Sequence, residues 1–167
     1  MEKRIEGRVW KFGDNIDTDV IYPGKYLPIL DAAEMALHAL EGLDPGFPKK
    51  LKPGDILVAG SNFGCGSSRE QAATCLRAAG VACVVAGSFS RLFFRNAVNQ
   101  GLPLVPCAGA NGAVANGESL VVDFEKGVVV ARGNALAFAP LPGFIMSILE
   151  SGGLIADVKK RLDGAKA

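Results

Sequence analysis

Two serines and an arginine, Ser67, Ser68 and Arg69, close a glycine-rich stretch, Gly60-Ser61-Asn62-Phe63-Gly64-Cys65-Gly66, that follows the apolar run Ile56-Leu57-Val58-Ala59. The order reads as strand, glycine loop, helix. Three glycines in seven residues remove side chains where the next helix presents its free backbone N–H groups, and such an N-terminus favours anions. Two hydroxyls and a planar, permanently charged guanidinium beside it suit a carboxylate or a phosphate. An ordinary helix cap explains the same residues, with Ser67 or Ser68 satisfying orphan amides and Arg69 in solvent. The stretch is not a Walker-type phosphate loop, because counting on from Gly60 reaches Cys65 where glycine is required and no Lys-Ser or Lys-Thr follows. A second cluster, Asp17-Thr18-Asp19, lies after the turn-rich Gly13-Asp14-Asn15. Its carboxylates fit loop caps, and Asp19 equally fits a group that orients a serine or an arginine across a site.

Asn62-Phe63-Gly64-Cys65-Gly66-Ser67-Ser68-Arg69-Glu70, preceded by Gly13-Asp14-Asn15-Ile16-Asp17-Thr18-Asp19-Val20-Ile21-Tyr22-Pro23 and followed by Arg91-Leu92-Phe93-Phe94-Arg95-Asn96-Ala97, resembles the small subunits of 3-isopropylmalate dehydratase in the aconitase family. The three motifs occur in order over most of residues 5 to 107. One position departs from the pattern: Gln71 stands where many relatives carry histidine, a helix-facing variation. The resemblance implies an α/β fold of the swivelling β/β/α kind and a hydro-lyase that interconverts 2- and 3-isopropylmalate in leucine biosynthesis by removing and re-adding water. Such chemistry takes a weakly acidic proton from carbon beside a carboxylate and must stabilise the resulting dianion. By the resemblance Ser67, deprotonated, is the base, Ser68 and Arg69 hold a substrate carboxylate, and Asp19 orients the base or its neighbours. A serine hydroxyl is far too weak an acid without nearby positive charge, for which the helix N-terminus and Arg69 are candidates. Departure of hydroxide needs a Lewis acid, which relatives supply with a 4Fe-4S iron–sulfur cluster on a separate large subunit. That subunit is the implied partner, in a heterodimer or heterotetramer, and this chain would carry half of an active site.

Lys25-Tyr26-Leu27-Pro28-Ile29-Leu30 occupies the place of the family's specificity loop. As plain sequence it is an apolar loop suited to packing on a core. Relatives that act on tricarboxylic acids carry an arginine two residues after the tyrosine, where this chain has Pro28. Beside Tyr26, an apolar Leu27, Pro28 and Ile29 accept a branched alkyl group, whereas burying an unpaired carboxylate there costs on the order of several kcal/mol. The resemblance therefore implies 3-isopropylmalate or a close alkyl-malate as substrate, with homoaconitase and dimethylmalate- or methylmalate-type dehydratases as alternatives.

At 167 residues the chain suits one domain, residues 1–167, with enough length for a real core. A net charge of +1 and the lack of a basic run give no case for nucleic acid, so anion recognition has to be local. Apolar residues are plentiful, but their runs are broken well short of the roughly 20 residues of a membrane span. Met1-Glu2-Lys3-Arg4-Ile5-Glu6 lacks an apolar signal region, and a cytoplasmic chain is expected. Cys65, Cys75, Cys83 and Cys107 are too dispersed for a Cys-x-x-Cys pair and His38 is the single histidine, so no metal or cofactor is expected in this chain. Cys75 and Cys83 sit in apolar patterns that suit small buried thiols. Cys65 in the glycine loop raises the alternative of a cysteine nucleophile, which would need a base, and His38 lies on a distant stretch that reads as surface or core. A non-catalytic organic-acid-binding module is the remaining alternative, and a sensor needs no activated base.

The elements that must carry these residues follow from periodicity. Strands are predicted at Ile5–Phe12, Val20–Ile21, Ile56–Ala59, Val81–Ala86 and Leu104–Val105, and a hairpin at Ser119–Asp123 and Gly127–Ala131. Helices are predicted at Ala32–Leu40, Ser68–Ala79 and Ser90–Gln100, near Gly143–Glu150 and near Leu154–Leu162. Alternation of strand and helix from Lys52 onward implies parallel pairing with right-handed crossovers. Gly80 and Gly101 stand at helix C-caps, and the proline-rich Leu43–Pro53 reads as a flexible connection.

Overall fold

The structure, a computed structural model, describes residues 2–164. Seven strands, β1 Arg4–Lys11, β2 Ile56–Ala59, β3 Cys83–Ala86, β4 Leu104–Pro106, β5 Ser119–Asp123, β6 Val128–Ala131 and β7 Asn134–Ala137, form one sheet in the order β4-β3-β2-β1-β5-β6-β7. The pairs β1–β2, β2–β3 and β3–β4 are parallel, and β1–β5, β5–β6 and β6–β7 are antiparallel. Every residue of β2 and β3 is buried, as befits parallel strands covered on both faces. Their side chains divide by alternation. Leu57, Ala59, Val84, Ala86 and Leu104 face one core, and Ile56, Val58, Cys83, Val85 and Val105 face the other.

The first core is roofed by α1 Thr18–Ile21, α2 Ala32–Ala36, α3 Glu70–Ala78 and α4 Arg91–Asn99. Helix α3 buries Ala72, Ala73, Cys75 and Leu76, and α4 buries Phe93, Ala97 and Val98, the three-to-four spacing of a single apolar stripe. The second core joins the parallel strands to Leu120, Val122, Val129, Ala131 and Phe138, so the antiparallel half curls back over the sheet. A short helix, α5 Ala110–Ala113, closes that side through Ala110. Helices α6 Gly143–Glu150 and α7 Leu154–Gly164 pack beside α4 around Val98, Ile145, Ile148 and Leu149.

Several expected elements are redrawn by capping and tertiary contact. Val20 and Ile21 belong to α1 and not to a strand: the Asp17 carbonyl accepts both their N–H groups at 3.0 Å, and its carboxylate accepts that of Asp19 at 2.7 Å. A strong cap thus outweighs the strand preference of Val-Ile. Helix α3 starts at Glu70, because Arg69 is extended (φ −128°, ψ 110°) and no side chain caps the helix. Ser67 and Ser68 are neither helical nor caps. Helix α2 stops at Ala36, and turns lead on to Leu40, a buried residue at φ +61° whose N–H donates to the Ile21 carbonyl at 2.7 Å. The 43–53 connection is anchored by a 3-10 turn at Phe47–Lys49, where buried Phe47 packs edge-on against Trp10 with centroids 4.9 Å apart. Strand β7 was not predicted, because its mostly exposed Asn-Ala-Leu-Ala carries no alternation. It follows β6 through Arg132-Gly133, both at positive φ, as a two-residue hairpin turn requires.

Beneath the sheet, Asp55 locks β1 to the start of β2. It is buried and accepts from Arg8 Nε at 3.2 Å, Arg8 Nη2 at 2.6 Å, Trp10 Nε1 at 2.7 Å and the Lys52 N–H at 2.9 Å. Burial pushes its carboxyl up, but Arg8, the Lys52 amide and Trp10 outweigh that and hold it below its ordinary 3.8. A value lower folded than unfolded stabilises the fold above the unfolded value and is lost as pH falls through the folded one. Asp55→Asn is expected to lower stability at pH 7 by about 1.5–3 kcal/mol and to flatten the acid limb of the stability curve. Urea unfolding between neutral and acid pH checks both effects.

Candidate active site

Since β1 and β2 are parallel neighbours, the segments that leave their C-terminal ends lie side by side. Backbone pairing continues past the strands: Phe12 N–H to Val58 O, Gly60 N–H to Gly13 O, Asn15 N–H to Ser61 O, Gly64 N–H to Ile16 O and Thr18 N–H to Cys65 O, all between 2.7 and 3.1 Å. The segment after β3 joins from the other side. Phe63 donates to Ser88 O and accepts from Ser90 N–H, at 3.0 and 2.9 Å. The first two motifs and the segment that leads into the third thus meet beyond the C-terminal ends of β1, β2 and β3.

At the end of this zipper Thr18, 2% exposed, donates its hydroxyl to the Ser67 carbonyl at 2.9 Å. Gly66, at φ +87°, passes so close to Asp17 that a Cβ there would sit 2.2 Å from Oδ2. Ser67 and Ser68 stand exposed just beyond, and neither hydroxyl has a hydrogen-bond partner among the described residues. Arg69 is largely enclosed, its side chain 13% exposed. Its Nη1 donates to Asp19 Oδ1 and, at 3.2 Å, to the Tyr22 carbonyl. Nη2 and Nε make no hydrogen bond among the described residues. One side of the guanidinium is therefore fastened, and the three N–H groups on Nη2 and Nε remain for a carboxylate. The hydrogen bond from Arg69 holds the Asp19 carboxyl below the usual carboxylate range. Asp19 therefore stays charged and orients Arg69, the neighbour of the expected base.

Gly24 packs on this ion pair: a Cβ there would lie 3.4 Å from Asp19 Oδ1 and 3.5 Å from Arg69 Nη2. The loop that follows divides into a tip and an anchor. Leu27 and Pro28 are exposed, Ile29 is half-buried against the first core, and Tyr26 is half-buried with its hydroxyl donated to Glu41. His38 stacks on Tyr26 and bonds to Glu41, so it serves as no base for Cys65. Burial raises the thiols of Cys75 and Cys107 and pushes that of Cys83 up to about 12, which leaves all three unreactive. Sequence reasoning missed the holding roles of Asp17 and Thr18, although both lie in the motif, and missed Glu41, for which no local signal exists.

Residues 9–107 match the aconitase C-terminal domain family. The chain belongs to that family, among the 3-isopropylmalate dehydratase small subunits. It is 52% identical over 162 residues to 3-isopropylmalate dehydratase small subunit 1 of Methanopyrus kandleri, covering 96% of this chain and 95% of that protein. It is 51% identical over 164 residues to the isopropylmalate/citramalate isomerase small subunit of Methanocaldococcus jannaschii, covering 97% and 98%. The crystal structure of 3-isopropylmalate dehydratase from Methanocaldococcus jannaschii superposes with a TM-score of 0.91 at 41% identity, over 98% of this chain and 99% of that one.

The residues of this aconitase C-terminal domain do not fit an iron–sulfur cluster of their own. Among the described residues no three His, Cys, Asp or Glu side chains gather where a metal ion could bind, and three of the four cysteines are buried. No helix among the described residues is long and apolar enough to cross a membrane.

The approach of Gly66 to Asp17 predicts the cost of the smallest change in the loop. Gly66→Ala places a methyl group at positive φ against the capping carboxylate, so the loop has to shift. The variant is expected to lose about 1–3 kcal/mol of stability, measured by thermal unfolding, and to lose more activity than the folded fraction accounts for.

Proposed function

We propose that this chain, acting whole as one swivel domain, is the small subunit of a cytoplasmic 3-isopropylmalate dehydratase and supplies the base and the carboxylate clamp to a site completed by a large subunit. The observation that carries the proposal is Arg69, fastened by Asp19 along one side and open along the other, two residues beyond the exposed Ser67, whose hydroxyl has no hydrogen-bond partner among the described residues. Ser67 takes the proton from carbon beside the substrate carboxylate. Arg69, with Ser68, grips that carboxylate and stabilises the charge that develops on it. Positive charge from Arg69 and from the free N–H groups of α3 favours the deprotonated serine. The implied cluster, a Lewis acid for the departing hydroxyl, belongs to the large subunit.

The apolar tip of the loop supports an alkyl-malate as substrate. Leu27 and Pro28 offer no charge to a third carboxylate, and both acids in the name of the Methanocaldococcus jannaschii relative carry an alkyl group. That name favours a second reading within the same chemistry, in which the smaller citramalate is also turned over.

In complex with its large subunit, Ser67→Ala is expected to lower kcat by roughly 10²–10⁴-fold while thermal unfolding stays near the parent's. Arg69→Lys keeps the charge but loses the planar fork, and a severe loss is expected there too. Near-normal turnover in both variants would reduce the motif to a structural turn. For specificity, kcat/KM is compared for isopropylmalate and homoaconitate. The parent is expected to prefer isopropylmalate, and Pro28→Arg is expected to gain toward the tricarboxylate. A parent that already prefers homoaconitate would sink the assignment of the loop.

A further inference from the structure

Glu41 lies fifteen residues beyond Tyr26 and outside every motif, with its side chain only 16% exposed. Three side chains converge on its carboxylate. Oε1 accepts the Tyr26 hydroxyl and lies 3.3 Å from Lys25 Nζ, and Oε2 lies 2.7 Å from His38 Nδ1. The Tyr26 ring is held as well, stacked on the His38 imidazole at 3.6 Å between centroids and 18° between planes, with the Lys25 ammonium 4.6 Å from its centroid. The Tyr26 hydroxyl above all, then His38 and Lys25, outweigh burial and hold the Glu41 carboxyl at about 2, so it is ionised across neutral pH.

What this cluster pins is the loop that follows Gly24, which lies against the Arg69–Asp19 pair. The Tyr26 carbonyl accepts the Tyr22 hydroxyl at 2.9 Å and the Ile29 N–H at 3.0 Å, which closes the turn that exposes Leu27 and Pro28. On the other side of Tyr26, Gly24 rests on the Arg69–Asp19 pair. Contacts therefore run from Glu41 through Tyr26 to the turn that carries Leu27 and Pro28, in a segment whose Gly24 lies against the carboxylate clamp.

We infer that Glu41 is a positioning residue for substrate specificity, acting through Tyr26 to hold Leu27 and Pro28 against the alkyl group of the substrate. The inference rests on the site proposed above. Tyr26 then serves as the anchor of the loop, since its hydroxyl is already engaged. A loop pre-set by charge-assisted hydrogen bonds loses little freedom when substrate binds, whereas a released loop must be ordered at that moment. Its loss appears in KM, and most strongly for the bulkier alkyl group.

The test uses the complex of both subunits, with isopropylmalate and citramalate as the two probes. Glu41→Gln, which keeps the size but weakens the shared acceptor, is expected to raise KM for isopropylmalate about ten-fold with kcat within about two-fold, and to raise KM for citramalate less. Tyr26→Phe is expected to raise KM similarly, and the double variant no further, because both remove the same contact. Unfolding midpoints close to the parent's separate positioning from loss of fold. Unchanged KM in Glu41→Gln, a fall in kcat alone, or additive effects in the double variant would overturn the inference. If Ser67→Ala and Arg69→Lys abolish turnover while Glu41→Gln keeps the parental KM, only the role of Glu41 falls. If those two variants keep normal rates, the site proposal falls and this inference with it.

Discussion

The parallel pairing of β1 with β2, in the register Val9↔Ile56, Trp10↔Leu57 and Lys11↔Val58, is the contact on which the rest of the structure depends. Past the strands the same pairing runs on through the loops until Thr18 meets Cys65 and Ser67. A slip of one residue would send every side chain of a strand to the opposite face and place Thr18 under the wrong carbonyl. The register is held at the far end as well, where Asp55 ties Arg8 and Trp10 of β1 to the residues entering β2. Two polar locks at opposite ends of one strand pair set the position of the serine loop.

Charge in this protein acts locally. With a net charge of +1, no broad field draws an anion to the surface, and the carboxylate binding proposed above rests on Arg69. That guanidinium suits the proposed role because it is incompletely paired. Asp19 and the Tyr22 carbonyl fix its orientation without occupying all of its donors. A fully paired arginine would be a structural strut, and an unpaired one would wander. Asp19 itself is exposed, so its hold on Arg69 comes from geometry and not from a dry surrounding.

Ser67, Ser68, Leu27 and Pro28 all stand at the surface, while the chemistry proposed for them calls for exclusion of water. The enclosing wall has to come from another surface, in keeping with a chain whose relatives are named small subunits. Of the groups proposed to meet substrate, Ser67, Ser68, Leu27 and Pro28 are exposed and Arg69 is largely enclosed, while Thr18, Tyr22 and Asp55, which fasten the segments around them, are buried. The C-terminal ends of the parallel strands thus form a buried base that presents a few side chains outward.

The residues by themselves determined the elements whose signal is local. Ile56–Ala59 and Gly143–Glu150 lie where their patterns place them, and α4 lies within Ser90–Gln100, because an apolar run, a periodic stripe or a cap lies within a few neighbours. The glycine loop was legible for the same reason, and so was the pairing of strands implied by alternation. Only the tertiary structure decided what depends on partners distant in the chain. Thr18 reaches Ser67 across 49 residues and Arg69 reaches Asp19 across 50. Val20-Ile21 turned helical once Asp17 was set beside Cys65. Leu40 took a left-handed backbone for the sake of its bond to Ile21. Glu41, His38 and Tyr26 have no shared spacing that marks them as a group. They meet because the turns after α2 fold that segment back on the loop, and convergence of that kind is a property of the packed chain and not of any local run of residues.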